Sequence, residues 1–333
     1  MRAFIASVLA ASVFANKSAP IGGFDYTQGG DNWAASSNVC GTGKKQSPVD
    51  LLTAEDKITE SEKLKINIST LGSNPVASRD KATTNMEVNY NLDFDKSWAD
   101  TATVKRTDSA GTEKTYNPVS VQWHTPSEHT VDGKHYDAEA QIYSDDADGK
   151  LAVVSVFFDK SVGGGAQNDW VKSFVAGYND RFNTDANAKA KVDMSLMFRP
   201  LSEEKGFWMY DGSLTYPPCT EGVAWTVMKD VLRISQDQLD WLYRFTKGAA
   251  EGAEINATEQ KYLDYVKTNT ANANNAAGNN RRTQALNDRK LYMAHEHDHD
   301  HDHDHDDHDH DKDAASNLMT SAAALAAVAL LNF

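Results

Sequence analysis

The chain reads as one mainly-β domain with a few peripheral helices, and three observations predict it. Five stretches, residues 87–94, 119–124, 138–143, 151–158 and 223–228, alternate or run apolar and are rich in Val, Phe, Tyr and Trp. Only two segments, 168–179 and 235–245, show helical periodicity. No internal repeat or Pro/Gly-rich linker divides residues 20–293, so a single core is expected there. Of the 333 residues, 40% are hydrophobic, which is ample material for that core.

Each element has a local reason. Residues 119–124 (VSVQWH) and 138–143 (AEAQIY) alternate, whereas 151–158 (LAVVSVFF) runs apolar. The second helix begins with Ser235 as a cap and Asp237 close behind. Residues 267–280 are rich in Asn and Ala and lack periodicity, so they read as a surface loop. Asp132-Gly133, between two extended runs, is a strong two-residue hairpin signal. If that ladder continues without a bulge, His124 faces Gln141. Period 2 then places Ser120, Gln122 and His124 on one face of the first strand, and Glu139 and Gln141 on one face of the second. A polar cluster in mid-sheet is costly unless it is paired or binds something, so a site is expected here.

A net charge of −15 argues against a nucleic-acid partner, since phosphate binding needs a basic surface. The charge is unevenly placed: residues 295–313 carry a net −9, leaving −6 for the rest. Within the tail 294–313 lie His295, His297, His299, His301, His303, His305, His308 and His310, mostly alternating with Asp. Clustered imidazoles and carboxylates offer donors to Zn²⁺, Cu²⁺ or Ni²⁺. The tail has too few apolar residues to fold alone, and its other reading is a solvated stalk.

Residues 1–15 (MRAFIASVLAASVFA) have one Arg, an apolar run and a small-residue end, the layout of a secretory signal peptide. A buried N-terminal helix is the alternative. Residues 314–333 join a small, polar stretch to an apolar run and resemble a GPI-attachment signal, with Asp313 or Ala314 as the attachment residue. The apolar run is about half the ~20 residues that a spanning helix needs. A disordered tail or a short anchor remains open there. The expected place is the outer face of a cell, with the membrane reached through the lipid. Cys40 and Cys219 are the only cysteines, so their pairing is forced if they bond. A closed loop of about 180 residues would contribute roughly 5 kcal/mol in the chain-entropy model; two buried thiols are the alternative. Sequons at Asn16, Asn67 and Asn256 are compatible with secretion.

Several ordered motifs carry more information. They are Gln46-Ser47-Pro48-Val49-Asp50, then Ser127-Glu128-His129-Thr130-Val131-Asp132-Gly133-Lys134, then Ala138-Glu139 and Leu151-Ala152-Val153-Val154. Tyr210-Asp211-Gly212-Ser213-Leu214-Thr215 runs into Pro217-Pro218-Cys219, and Asn279-Asn280-Arg281 and Gln284-Ala285-Leu286-Asn287 follow late in the chain. Together they resemble the α-type carbonic anhydrases, from about residue 24 to 292. The resemblance implies a twisted, mostly antiparallel sheet of about ten strands, a conical cleft, and a Cys40–Cys219 disulfide.

The departures bear on chemistry. In that family three histidines hold zinc, and the matching positions here read Gln122, His124 and Gln141. The domain's other histidines are His129, which matches a structural family residue, and His135. Catalytic zinc needs three nitrogen, sulfur or carboxylate donors plus an open position, and a neutral amide oxygen is a poor substitute. Thr215 and Glu128 match the pair that orients zinc-bound hydroxide; without the ion they are idle, buried and satisfying each other. Glu139 matches the carboxylate behind the third histidine and is expected to face Gln141. Val153, Leu214, Val223 and Trp225 match the apolar wall of the substrate pocket, which Tyr143 would crowd. The proton-shuttle position reads Met86 or Glu87.

The first reading is therefore a cell-surface, carbonic-anhydrase-like protein with a degenerate zinc site, no cofactor in the cleft, and a role in binding an unknown extracellular ligand or protein, in adhesion or in wall structure. The second is an active zinc carbonic anhydrase with an unorthodox site, hydrating carbon dioxide to bicarbonate. A third, weaker reading is metal capture by the tail alone.

Overall fold

The computed structural model describes residues 24–54, 57–67, 76–78, 91–94, 103–183, 190–191, 196, 206–247 and 278–294. Two compact units divide the chain, 1–297 and 298–333, and the second lies outside the described residues. So do the expected signal peptide, Met86, Glu87, Asn16, Asn256, the tail histidines and the attachment residues. Among the described residues no helix is long and apolar enough to cross a membrane.

The described residues build a twelve-stranded sheet of mostly antiparallel pairs. Its central strands, in spatial order, are Asn91–Phe94, Glu113–His124, Ala138–Asp145, Leu151–Asp159, Glu221–Arg233, Phe207–Ser213 and Tyr292–Ala294. The Leu151–Asp159 strand pairs in parallel with Glu221–Arg233, and the first is apolar at all but Ser155 and Asp159 because protein covers it on two sides. Four of these strands contain stretches recognised by pattern; of the fifth stretch, 87–94, the strand Asn91–Phe94 covers the described part and 87–90 lie outside the described residues. Phe207–Ser213 escaped recognition because Asp211-Gly212 interrupts it. Gly212 is required there: a Cβ would collide with Ser47 Oγ.

The hairpin register differs from expectation. Asp132 and Gly133 do form a tight turn with φ of 47° and 76°, pairing Val131 with Lys134 and Thr130 with His135. That hairpin, however, belongs to a separate three-stranded sheet with Asp50–Leu51. Residues 125–129 follow His124 before it, whereas only 136–138 separate it from Glu139. The long ladder is consequently shifted by two: His124 faces Glu139, and Gln122 faces Gln141. An even shift leaves every side chain on its expected face.

Two helices, Asp169–Asn183 and Gln236–Lys247, cover the apolar face. Asn168 Oδ1 accepts from the N–H groups of Trp170 and Val171, and Ser235 Oγ accepts from that of Gln238, so both starts are capped. Gln238 then ties the two starts together, donating to Asn168 O and accepting from Asn168 N–H, each at 2.8 Å. Beneath them Trp123, Phe158, Trp170 and Phe174 form an aromatic stack, with Trp123 and Trp170 centroids 4.9 Å apart. Cys40 and Cys219 are disulfide-bonded. Of the expected surface loop, only 278–280 are described, and they are buried. They are drawn in because Asn279 and Arg281 complete the site.

Candidate functional site

Alternation along three neighbouring strands aims Ser120, Gln122 and His124, then Glu139, Gln141 and Tyr143, then Val153 and Ser155 at one face, where all are buried. The loop 125–129 folds over them and buries Glu128 and His129 completely.

Glu139 anchors that loop. Its Oε2 accepts from the backbone N–H of Glu128 (2.8 Å) and of His129 (2.9 Å). Its Oε1 accepts from His129 Nδ1 (2.8 Å), Ser155 Oγ (2.6 Å) and Gln141 Nε2 (3.1 Å). Burial alone would raise its pKa, but the His129 ring and these hydrogen bonds outweigh it and hold the carboxyl at about 2. His129 is held on its other nitrogen by the Tyr210 hydroxyl at 2.6 Å, in keeping with a structural role.

Glu128 lies deeper. It accepts from Gln141 Nε2 at 2.8 Å and from the Arg281 backbone N–H at 2.9 Å. Burial pushes its pKa up and the charge of Glu139 adds to this, against the opposing pull of His124. The Gln141 amide is thus fully committed. Its two N–H bonds reach two carboxylates, and its Oε1 accepts from the Tyr143 hydroxyl at 2.9 Å.

The opposite side of the cluster is bare. His124 Nδ1 donates to Asn279 O at 2.6 Å, which leaves Nε2 with the lone pair in the neutral ring. Nε2 has no hydrogen-bond partner, the nearest Glu128 oxygen being 3.5 Å away. Gln122 is 1% exposed, and neither its Oε1 nor its Nε2 is bonded. Thr215 Oγ1 sits close enough to Glu128 and Tyr143 to lower their pKa values, yet it completes a well-formed hydrogen bond with neither. The expected mutual satisfaction of Thr215 and Glu128 is therefore corrected: Gln141 and Arg281 satisfy Glu128 instead.

Zinc does not fit this donor set. His124 Nε2 is the one ring nitrogen available, Gln141 is occupied at all three polar positions, and Gln122 offers an amide. Among the described residues no group of three His, Cys, Asp or Glu is placed to hold a metal ion. The apolar wall does assemble: Tyr143, Val153, Leu214, Val223 and Trp225 share one cluster. Tyr143 is fully buried in it, 6.3 Å from both the Trp225 and the Tyr216 ring. Asn67 is exposed at the end of the strand Lys65–Asn67.

Two contributors had gone unassigned. Asn279 orients His124 from 155 residues away and also bonds the backbone of Thr125 and Trp123. Arg281 donates from its backbone to Glu128, while its guanidinium reaches Gln46, Ser47 and Cys40. Burial lowers the pKa of that guanidinium to about 10. Their signal was the Asn279-Asn280-Arg281 motif, which local pattern reads as surface.

Comparison with known proteins agrees with this geometry. The family model for eukaryotic-type carbonic anhydrase matches residues 28–295. Alpha carbonic anhydrase 4 of Arabidopsis thaliana is 30% identical over 244 residues, 70% of this chain and 80% of its own. Dioscorin dioA3 of Dioscorea japonica is 27% identical over 226 residues, 65% of this chain and 75% of its own. Among solved structures, dioscorin complexed with ascorbate superposes with a TM-score of 0.57 at 23% identity, over 81% of this chain and 97% of that one. The alpha-carbonic anhydrase of Thermovibrio ammonificans, in complex with the inhibitor sulfanilamide, gives 0.54 at 25% identity, over 81% and 98%.

Proposed function

The chain belongs to the eukaryotic-type carbonic anhydrase family, and we propose that it is a member whose cleft has exchanged zinc hydration chemistry for the binding of a small polar molecule. One observation carries this reading: the Gln141 amide is saturated by Glu128, Glu139 and Tyr143, where an imidazole lone pair would have to point at a metal. The unbonded Gln122 amide, His124 Nε2 and Thr215 hydroxyl supply donors and acceptors for a ligand instead. If the chain catalyses a reaction at all, family membership makes carbon dioxide hydration that reaction.

The protein acts outside the cell in this reading, held by a GPI anchor at Asp313 or Ala314. The Cys40–Cys219 disulfide supports an oxidising compartment. The His/Asp tail is a separate candidate for surface metal capture.

The test is carbon dioxide hydration by the full chain with added zinc, beside the double variant Gln122→His/Gln141→His. Wild type should match the uncatalysed control. The double variant should gain a sulfonamide-sensitive rate, kept small by Tyr143. A sulfonamide-sensitive rate in wild type would overturn the reading. Ascorbate, held by the solved dioscorin, is the first probe for binding, followed by quenching of tryptophan fluorescence.

A further inference from the structure

On the side of the sheet away from Gln122 lies a second polar feature. The short strand Val104–Thr107 turns Val104 and Arg106 inward and Lys105 outward. Period 2 therefore places an arginine where an apolar residue would normally sit. Arg106 is 9% exposed, and its neighbour across the pair is the buried Ile66.

Its bonding is incomplete. Arg106 Nε donates to Thr226 Oγ1 at 3.3 Å, and among the described residues its terminal nitrogens make no hydrogen bond. Burial lowers its pKa, and Tyr116, Asp211 and Asp108 act electrostatically in the other direction, but neither aspartate closes an ion pair with it. Asp108 Oδ1 is already engaged by the N–H groups of Ala110 and Thr112. Beyond Thr226 no group among the described residues pairs this guanidinium, and a cation so largely buried gains from a charge partner.

Arg106 lines a cavity of about 420 Å³. Lys44, Lys45 and Lys290 also line it, so among the described lining residues cations outnumber the acids Asp108, Asp211 and Asp288, although the whole chain is at −15. Arg289 is not free to act: its guanidinium is spent on the carbonyls of Leu286, Asp211 and Ala285. Leu64, Met209 and Tyr292 add an apolar wall. The space far exceeds one inorganic anion.

We infer that this cavity binds a small organic anion, its carboxylate or phosphate seated on the Arg106 fork and its apolar body against Leu64 and Met209. The planar guanidinium matches either oxyanion in a bidentate pair. The lysines add attraction that salt should screen.

The experiment is calorimetric titration of the full chain with benzoate, phenyl phosphate and inorganic phosphate. Either organic anion should bind saturably at one per chain, and their relative affinities identify the headgroup. Inorganic phosphate should bind more weakly than phenyl phosphate. Arg106→Gln should weaken binding about tenfold or more, as expected for a lost charge-assisted pair. Arg282→Gln, a surface arginine paired with Asp31 outside the cavity, should leave it unchanged. Should Arg106→Gln misfold, Lys290→Gln at the exposed rim should still weaken binding severalfold with melting unaltered. Absence of saturable binding, inorganic phosphate binding as tightly as phenyl phosphate, or full affinity in Arg106→Gln or Lys290→Gln would each overturn the inference.

Discussion

The two faces of the adjoining strand segments 120–124 and 138–144 are both buried and are held together by different means. One face presents Val121, Trp123, Ala140 and Ile142 to an aromatic and aliphatic core that needs no direction, only contact. The other presents Gln122, His124, Glu139 and Gln141, which need partners at fixed distances and angles. Within the polar face the contrast repeats. Gln122 and Gln141 sit directly opposite one another, yet Gln141 is fully bonded and Gln122 has no partner at either atom. Burial alone therefore does not say whether a polar position is structural or available to a ligand.

The apolar face should give the largest single effect. Phe158→Ala removes a fully buried ring packed against Trp123 and Trp170 and should cost about 3–5 kcal/mol. Chemical denaturation reads this directly, and a loss no larger than that of a surface substitution would break the comparison.

The polar face should show itself through pH. The folded pKa of Glu139, about 2, lies below its ordinary 4.5, so the unfolded chain binds the proton more tightly. Its contribution, on the order of 3 kcal/mol, is present above the ordinary value and is lost as pH falls from 4.5 towards 2. Glu128, with its pKa raised, works in the opposite sense and gains stability on protonation. Urea midpoints measured across the acid range should therefore fall less steeply in Glu139→Gln than in wild type. An unchanged slope would remove Glu139 as the loop's anchor.

The finest contrast is between the glutamines. Gln141→Leu takes a donor from two buried carboxylates and should cost about 2–3 kcal/mol. Gln122→Leu removes an amide that bonds to nothing and should stay within about 1 kcal/mol of wild type, on either side. Equal costs would mean that Gln122 has structural partners and is not held open for a ligand.

Legibility followed the range of each interaction. The pleat puts residues two apart on one face, so Gln122 with His124, and Glu139 with Gln141, were legible from alternation even though the register was off by two. The Ser235 cap was legible because its partner is three residues away. Asn279 and Arg281 were not, since nothing in their own neighbourhood announces burial. Arg106 was hidden for a related reason: a lone Lys105-Arg106 pair reads as surface until the strand's inward face is known.

The sequence by itself determined the side-chain parity of the strands and the family, and left each cysteine one possible partner, because each depends on local geometry, on ordered motifs or on the residue count. Only the tertiary structure decided which buried polar atoms are satisfied. The Glu139 carboxylate is anchored by a loop ten residues back, the Glu128 carboxylate by a backbone N–H 153 residues ahead. A hydrogen bond needs its partner near 3 Å and well aligned. Segments that far apart in the chain reach such distances only once the whole sheet has closed around them.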